Sequence, residues 1–240
     1  MDYHKLFQSQ EVQQLANTMC DIAAECWNLG LSDSTGFSIS AKIPNTPAIL
    51  VDKSGTGFRR NKISPSDLLI YDEQGELLYK PEGSDNPRLA PVNTVIHLAG
   101  YRANKNLQGC VHWHDPYILA FAGTGKDIPT YTLQSKLIGK VRCIKVDDRK
   151  EKEYFFKNQP QFDVPSGVHT RPDVLWSMNK VADKAADIIM EKGDELEKHG
   201  IVISQFEHGF FAWGRTVDEA FENAYRARRN SQALLLSKLS

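Results

Sequence analysis

The sequence predicts a single domain of the α/β class. Segments whose apolar residues recur at helical spacing alternate with short apolar runs bounded by turn residues, as expected for helices packed on a sheet. The chain has 240 residues, of which 41% are hydrophobic, and this supply is sufficient to bury one core. Internal repeats and low-complexity segments are not apparent. We therefore expect one domain that spans residues 1–240.

The charge and the cysteines exclude several classes of function. With 29 basic and 30 acidic side chains the formal net charge is −1, so no overall basic field favours nucleic acid or a membrane surface as the partner. No run approaches the roughly 20 apolar residues of a membrane span. The four cysteines show no Cys-x-x-Cys spacing, and no apolar N-terminal run precedes a cleavage site, which predicts a cytoplasmic protein. A small soluble molecule is the expected partner.

Apolar spacing and terminal signals mark the predicted helices. The first helix ends near Gly30, a residue suited to a C-terminal cap. Another has Pro116 in its first turn, and the last opens with the capping-box pair Thr216 and Glu219. The predicted helices cover residues 8–30, 94–105, 116–122, 172–198 and 216–236.

Short apolar runs between these helices predict the strands. A turn rich in small polar residues leads into the first strand, and an acidic turn joins the third to the fourth. Residues 147–171 are polar and lack a clear period, so we expect a solvated loop there. The predicted strands cover residues 34–42, 48–51, 68–71, 76–79, 107–114, 141–146 and 201–204.

The stretch Gly-Cys-Val-His-Trp-His-Asp at residues 109–115 predicts a metal site. Successive side chains of a strand point to opposite faces, so His112 and His114 share one face while Trp113 points away. A catalytic zinc site takes three protein ligands and leaves a position open, and His208 is the natural third ligand. His-x-His alone is a weak signal, because each histidine can also be a hydrogen-bonded core or surface residue. The end of this strand is where ligands usually bind in open sheets.

Three further features each allow two interpretations. The sequence Ser-Gly-Thr-Gly at residues 54–57, with Arg59 and Arg60 behind it, can cradle an anion, but it is also typical of a hairpin turn. His97 can hydrogen-bond beneath the metal or take part in the chemistry. Cys110 lies on the same face as the two strand histidines, so it is either a soft fourth ligand or a small packed thiol.

Several segments resemble the class II aldolase and adducin family. Residues 207–221, Glu-His-Gly-Phe-Phe-Ala-Trp-Gly-Arg-Thr-Val-Asp-Glu-Ala-Phe, look like its His-Gly segment followed by a glycine and a capped helix. His112 and His114 look like its His-x-His strand. Within the family, residues 45–51 and 54–61 are most similar to the rhamnulose-1-phosphate aldolases. The resemblance covers nearly the whole chain.

This resemblance implies a fold, an assembly and a metal. The implied fold is a three-layer αβα arrangement with a mostly antiparallel central sheet flanked by helices, and the usual assembly is a homotetrameric ring with active sites between subunits. The implied ligands of a divalent metal, with zinc the expected ion, are His112, His114 and His208. The implied substrate is a small sugar or sugar phosphate. The metal binds its oxygens and stabilises the enediolate that forms when a carbon–carbon bond breaks.

The chain departs from the family pattern at three places. The catalytic Glu of the aldolases, which moves the proton, falls on Asn93, and an amide cannot take up a proton at neutral pH. Two hydroxyl residues that help to hold the phosphate fall on Pro91 and Val92. The Gly-Asn pair of another loop falls on Phe37 and Ser38. The phosphate-binding candidates that remain are Ser38, Ser54 and Gly55, with Arg59 or Arg60 as additions.

Three hypotheses follow, and we favour the first, a metal-dependent carbon–carbon lyase of the aldolase type. Another base then replaces the missing Glu, either Asp115 or a residue of a neighbouring subunit. Asp115, however, points to the opposite face of a regular strand and is suited to capping the helix that begins at Pro116. The second hypothesis is an epimerase, dehydratase or decarboxylase on the same metal, since a fold does not settle the chemistry. The third is a non-catalytic adducin-like protein, which has no need of three converging imidazoles.

Overall fold

An eight-stranded sheet forms the middle of the molecule. The computed structural model describes residues 1–31, 36–53, 63–82, 90–146, 153, 157, 164–168 and 170–238. The strands are β1 (Phe37–Lys42), β2 (Ala48–Asp52), β3 (Leu68–Asp72), β4 (Leu77–Tyr79), β5 (Gly109–Trp113), β6 (Arg142–Ile144), β7 (Ile201–Gln205) and β8 (Gly209–Gly214). Their order is β4-β3-β2-β1-β5-β8-β7-β6. Neighbouring strands are antiparallel except β6 and β7, which are parallel.

Helices cover both faces of this sheet. They are α1 (Tyr3–Phe7), α2 (Gln10–Asn28), α3 (Thr94–Ala103), α4 (Pro116–Ala122), α5 (Pro172–Lys192) and α6 (Val217–Leu236). The apolar sides of α3 and α5 form a core with one face, and those of α2, α4 and α6 form a second core with the other face. This confirms the predicted three-layer αβα architecture with a mostly antiparallel sheet. In the described part of the chain, no helix is long and apolar enough to cross a membrane.

The alternation of side chains along β5 sets the position of the histidines. All five residues of β5 are buried because both faces of the sheet are covered. Val111 and Trp113 belong to the core beneath α2, α4 and α6, whereas Cys110 belongs to the core beneath α3 and α5. His112, two residues after Cys110, lies on the same face as that cysteine. The expectation that Trp113 turns away from the histidine pair is therefore confirmed.

The long helix predicted over residues 172–198 ends earlier than its apolar pattern indicates. Helix α5 stops at Lys192 because Gly193 adopts a φ of +51°, a conformation that glycine reaches without a Cβ penalty. The chain continues as a 3₁₀ helix over Gly193–Glu197. Apolar spacing persists across this break because both helical segments face the same core.

The opening helix α1 is not predicted from the sequence. Its five residues are too few to show a helical period, and its visible signal is the cap, where the Asp2 side chain accepts a hydrogen bond from the Lys5 amide. Most of the loop predicted at residues 147–171 lies outside the described residues, but Glu153 and Lys157 are helical and Pro165 is buried, so the prediction of a solvated loop is wrong at these three residues. Residues 54–61, which include the predicted Ser-Gly-Thr-Gly turn, also lie outside the described residues.

Gly100 lies where α3 packs closely against β8, and it supports a prediction about stability. An ideal Cβ on Gly100 would lie 2.2 Å from the indole Nε1 of the fully buried Trp213. Alanine normally stabilises a helix interior by up to about 1 kcal/mol relative to glycine, but overpacking a core costs about 1–3 kcal/mol. We expect Gly100→Ala to lower the free energy of unfolding by about 1–2 kcal/mol, measured by urea denaturation. A gain in stability would contradict this packing.

Candidate metal centre

Three histidines converge at the end of β5. The candidate ligand nitrogens of His112, His114 and His208 all lie within 4.8 Å of one another, and the ring centroids are 4.8 to 5.2 Å apart. His112 is buried, whereas His114 and His208 are partly exposed, so the cluster opens to solvent beside the latter two. Among the described residues, no other group of three or more His, Cys, Asp or Glu side chains is this close. The fold thus brings the three predicted ligands together.

Hydrogen bonds orient the rings of His112 and His208. Nδ1 of His112 lies 2.7 Å from the carbonyl oxygen of Phe210, and Nδ1 of His208 lies 2.8 Å from the side-chain oxygen of Gln205. Because both oxygens are acceptors, each Nδ1 carries a proton and donates it. Each Nε2 therefore keeps its lone pair for a metal. Such hydrogen bonds fix the tautomer and the orientation of metal-binding histidines.

Backbone geometry places His208 beside β5. Glu207, in the turn that joins β7 to β8, has a φ of +56°, and Gly209, the first residue of β8, has a φ of +157°. A Cβ on Gly209 would lie 2.8 Å from the carbonyl oxygen of Trp113, so only glycine allows the turn to pack this closely. The antiparallel pairing of β5 with β8 then places His112 opposite Phe211, three residues after His208.

Burial favours the neutral form of His112 and His208. Desolvation, together with repulsion from neighbouring imidazoles, lowers the pKa of His208 to about 4 and the pKa of His112 well below its usual value. Neutral imidazole is the form that binds a metal. These two neutral imidazoles, together with His114 beside a partly open position, fit a divalent ion of the zinc type.

His97 belongs to a buried hydrogen-bond chain beneath the cluster. Its Nε2 lies 3.1 Å from Oγ of Ser38, and its Nδ1 lies 2.8 Å from Oγ of Ser40. The hydroxyl of Tyr101 lies 2.7 Å from Oγ of Ser40 and donates to the carbonyl oxygen of Ser40 at 3.0 Å. Tyr101 has one proton, so Ser40 donates to Tyr101, His97 donates to Ser40, and Ser38 donates to His97. This direction gives every contact one proton, and His97 therefore hydrogen-bonds beneath the candidate metal site.

The predicted contact of Ser38 with phosphate depends on this chain of hydrogen bonds. Ser38 lies opposite His112 in the sheet register and has no exposed surface. Its hydroxyl proton points to His97, whereas a phosphate needs a donor. Phosphate binding by Ser38 stays a prediction, and it requires the hydroxyl to turn away from His97.

His97 also supports a prediction about pH. Burial lowers the pKa of His97 to about 3, whereas an unfolded histidine has a pKa of about 6.5. Between these values the unfolded state binds a proton that the folded state does not, so stability falls as the pH decreases through this window. We expect His97→Asn to reduce the slope of unfolding free energy against pH, by up to about 1.4 kcal/mol per pH unit. Urea titrations of chelator-treated protein between about pH 6.5 and 4.5 measure the slope, and an unchanged slope would contradict the neutral buried ring.

Asn93 lies at the start of α3, one helical turn before His97. The residue is 6% exposed, and within the described structure its side-chain oxygen is buried without a hydrogen-bond partner. An unsatisfied buried acceptor costs free energy, and the hydroxyl of a bound substrate can satisfy it. The assignment of Asn93 to the catalytic position stays a prediction. An amide in that position binds a hydroxyl but does not move a proton.

Asp115 caps a helix and forms an ion pair. One carboxylate oxygen accepts hydrogen bonds from the amides of Tyr117 at 2.9 Å and Ile118 at 3.2 Å. The other lies 2.9 Å from Nε of Arg228. The capping role that we inferred for Asp115 is therefore confirmed. Both oxygens are occupied away from the cluster, which argues against Asp115 as the replacement base.

The remaining predicted residues divide into two groups. Cys110 is fully buried in the core beneath α3 and α5, and burial raises the pKa of its thiol. It is a packed thiol and is not part of the ligand cluster. The phosphate-binding candidates Ser54 and Gly55, and the possible additions Arg59 and Arg60, lie outside the described residues.

Sequence reasoning missed two residues of the site. Gln205 fixes the tautomer of His208, and its only signal is its place three residues earlier in the chain. Arg228 pairs with Asp115 from a helix more than a hundred residues away. No local pattern connects these two residues.

Comparisons with known proteins identify the family of the chain and its relatives. The chain matches the family model for the Class II Aldolase and Adducin N-terminal domain over residues 17–235. It is 25% identical over 213 residues to L-ribulose-5-phosphate 4-epimerase UlaF of Salmonella paratyphi C, a match that covers 89% of this chain and 80% of the relative.

Solved structures share the fold. L-fuculose-1-phosphate aldolase from Thermus thermophilus superposes with a TM-score of 0.65 at 19% identity, covering 94% of each chain. An aldolase II superfamily protein from Pseudomonas syringae superposes with a TM-score of 0.65 at 17% identity, covering 95% of this chain and 76% of the other.

The fold and the three-histidine cluster define an αβα domain with a candidate site for a divalent metal. The family match assigns it further: the chain belongs to the class II aldolase and adducin family. The predicted family resemblance is thereby confirmed. Enzymes of this family depend on a divalent metal, which the cluster is suited to hold.

Proposed function

We propose that the protein is a metal-dependent enzyme that breaks a carbon–carbon bond in a small ketose or ketose phosphate. The observation that carries this proposal is the convergence of three imidazoles at a partly open end of the sheet, two of them oriented through Nδ1. A bound divalent cation supplies Lewis-acid stabilisation of the negative charge that develops on substrate oxygens during such a cleavage. Retro-aldol cleavage is the reaction that uses this stabilisation directly.

The residues of this chain have separate roles in the proposal. His112, His114 and His208 hold the metal. Asn93 offers a buried, unsatisfied oxygen to a substrate hydroxyl, so it positions the substrate. The proton is moved by a group outside the histidine cluster, such as a residue of a neighbouring subunit, because no described carboxylate belongs to that cluster.

An epimerase is the second candidate, and the match to an L-ribulose-5-phosphate 4-epimerase favours it. When the bond between carbons 3 and 4 of a 2-ketose breaks, the freed aldehyde can rotate and add back, which inverts carbon 4. The same bond-breaking step can therefore lead to cleavage or to epimerisation. The two reactions differ in whether the fragments leave the site.

The proposal also includes the metal, the assembly and the location, which are zinc, a homotetramer and the cytoplasm. Zinc suits three neutral imidazoles with an open position. We expect a homotetramer in the cytoplasm, as the family resemblance of the sequence implies. A ring of subunits also provides the neighbouring residue that the proton transfer needs.

The test combines elemental analysis of the purified protein with a substrate screen. Free ketoses, ketose 1-phosphates and ketose 5-phosphates are incubated with the metal-loaded enzyme and followed by NMR. An aldehyde together with a three-carbon ketone identifies the lyase, whereas a new diastereomer without fragments identifies the epimerase. A protein that takes up no divalent metal would overturn both candidates.

A further inference from the structure

A buried ion pair lies directly behind the metal site. Asp115 follows His114 and has no exposed surface, and its Oδ2 lies 2.9 Å from Nε of Arg228 on α6, whose side chain is 15% exposed. The contact is a charge interaction, since its geometry is not that of an aligned hydrogen bond. The other oxygen of Asp115 accepts from the amides of Tyr117 and Ile118. The carboxylate thus joins the end of β5, the first turn of α4, and α6.

Further contacts fix Arg228 in this position. Its guanidinium carbon lies 5.0 Å from the ring centroid of Tyr117, within the range of a cation–π interaction. The hydroxyl of Tyr117 accepts a hydrogen bond from Gln232, one helical turn after Arg228, at 3.1 Å. Helix α6 therefore holds the first turn of α4 by a charge, a ring contact and a hydrogen bond.

The position of the His114 ring depends on the position of its own backbone. A Cβ on Gly36 would lie 2.3 Å from this ring, and a Cβ on Gly209 would lie 3.0 Å from its Cδ2. The backbone of two glycines thus confines the ring on two sides, which leaves little room for the side chain to adjust by itself. A shift of the backbone between His114 and Asp115 therefore moves the ligand nitrogen away from the other two histidines.

We propose that Arg228 is a positioning residue of the metal site, which acts through Asp115 to fix the backbone of His114. The inference rests on the metal site of the proposed function and adds a residue that contacts neither metal nor substrate. Removing the guanidinium leaves a buried carboxylate without a counter-charge, which is strongly unfavourable. Asp115 then turns towards water and releases the first turn of α4, and His114 leaves the point that the three ligands share.

The test measures the metal affinity of the full-length protein after chelator treatment, by competition with a chromophoric chelator for Zn²⁺ and Co²⁺. We expect Arg228→Met to weaken the affinity about 10- to 100-fold, the range found for residues that support metal ligands. The visible absorption of bound Co²⁺ should change with it. Arg228→Lys keeps the charge and should recover part of the affinity. The matched control is Arg226→Met, which removes a guanidinium paired with Glu222 on the same helix and should leave the affinity unchanged.

A double-mutant cycle separates positioning from general stability. Asp115→Asn keeps a capping oxygen but removes the carboxylate, so adding Arg228→Met to it should change the metal affinity little. Additive losses would overturn the inference, as would an Arg228→Met variant that unfolds at lower temperature but binds metal normally. If Arg228→Met does not fold, the variant with both Asp115→Asn and Arg228→Met is measured instead, because it has no uncompensated charge. Its metal affinity must equal that of Asp115→Asn alone.

The outcome for the unmodified protein distinguishes this inference from the proposed function. If the wild-type protein binds no divalent metal, the proposed function and the inference both fall. If the wild-type protein binds metal and Arg228→Met binds it equally well, only the role of Arg228 is overturned.

Discussion

Replacing His114 by alanine is expected to strip the metal from the protein. His114 is one of three nitrogen donors that lie within 4.8 Å of one another, and two imidazoles alone do not complete a zinc site. The metal affinity should fall by more than about 100-fold, beyond the loss typical of a supporting residue. Carbon–carbon cleavage should be lost with it. Elemental analysis of the purified variant and a competition titration with Zn²⁺ measure the effect.

The control for this variant is His4→Ala. His4 is exposed on α1, far in sequence from every candidate ligand, so its removal should leave metal content and turnover unchanged. Circular dichroism establishes that both variants are folded. Full metal occupancy in a folded His114→Ala protein would count against the metal assignment and against the proposed enzyme.

Restoring glutamate at position 93 is expected to raise retro-aldol activity. Asn93 occupies the position of the catalytic Glu in the family pattern and cannot take up a proton. General acid–base catalysis contributes about 10²- to 10⁴-fold to a rate, so Asn93→Glu should increase turnover about 100-fold or more if this proton transfer is limiting. Because the position is 6% exposed, burial should raise the pKa of the new carboxyl. The gain should therefore grow with pH until that group is ionised, and a pH profile of kcat tests this.

Asn93→Gln is the matched variant, since glutamine has the length of glutamate but no titratable group. It should show no gain, and both variants should retain the metal content of the wild-type protein. Equal activities of the two variants would show that the altered residue does not limit the reaction. The chemistry would then differ from retro-aldol cleavage by the usual route, and the dehydratase and decarboxylase hypotheses would gain support.

Local pattern was sufficient for most elements of the fold. Alternation along a strand placed Trp113 opposite the histidine pair, and the spacing of Thr216 and Glu219 marked the start of α6, where the Thr216 side chain accepts from the Glu219 amide. The same logic missed the end of α5 at Gly193. Apolar spacing continued past that residue, and only its positive φ ended the helix. Glycine is itself a stop signal for a helix, but at Gly193 the apolar spacing on both sides outweighed that signal.

The site itself was predictable in its ligand types but not in its geometry. His112 and His114 share a face by strand periodicity alone, yet the approach of His208 depends on the pairing of β5 with β8 and on the turn at Gly209. The role of Asp115 was open in the sequence between a base and a cap. Its hydrogen bonds with the amides of Tyr117 and Ile118 decided for the cap. Its contact with Arg228 occupies the other carboxylate oxygen and exists only after α6 has packed on the sheet.

By itself, the sequence determined the class of fold, the family resemblance and the three imidazoles that can hold a metal, because these depend on residue type and on short-range spacing. The tertiary structure decided which nitrogen each oriented ring presents, that His97 lies in a closed hydrogen-bond chain, and that Asp115 is bound to Arg228. These properties depend on partners that lie far apart in the chain. Such partners meet only when the sheet and its two helix layers have assembled.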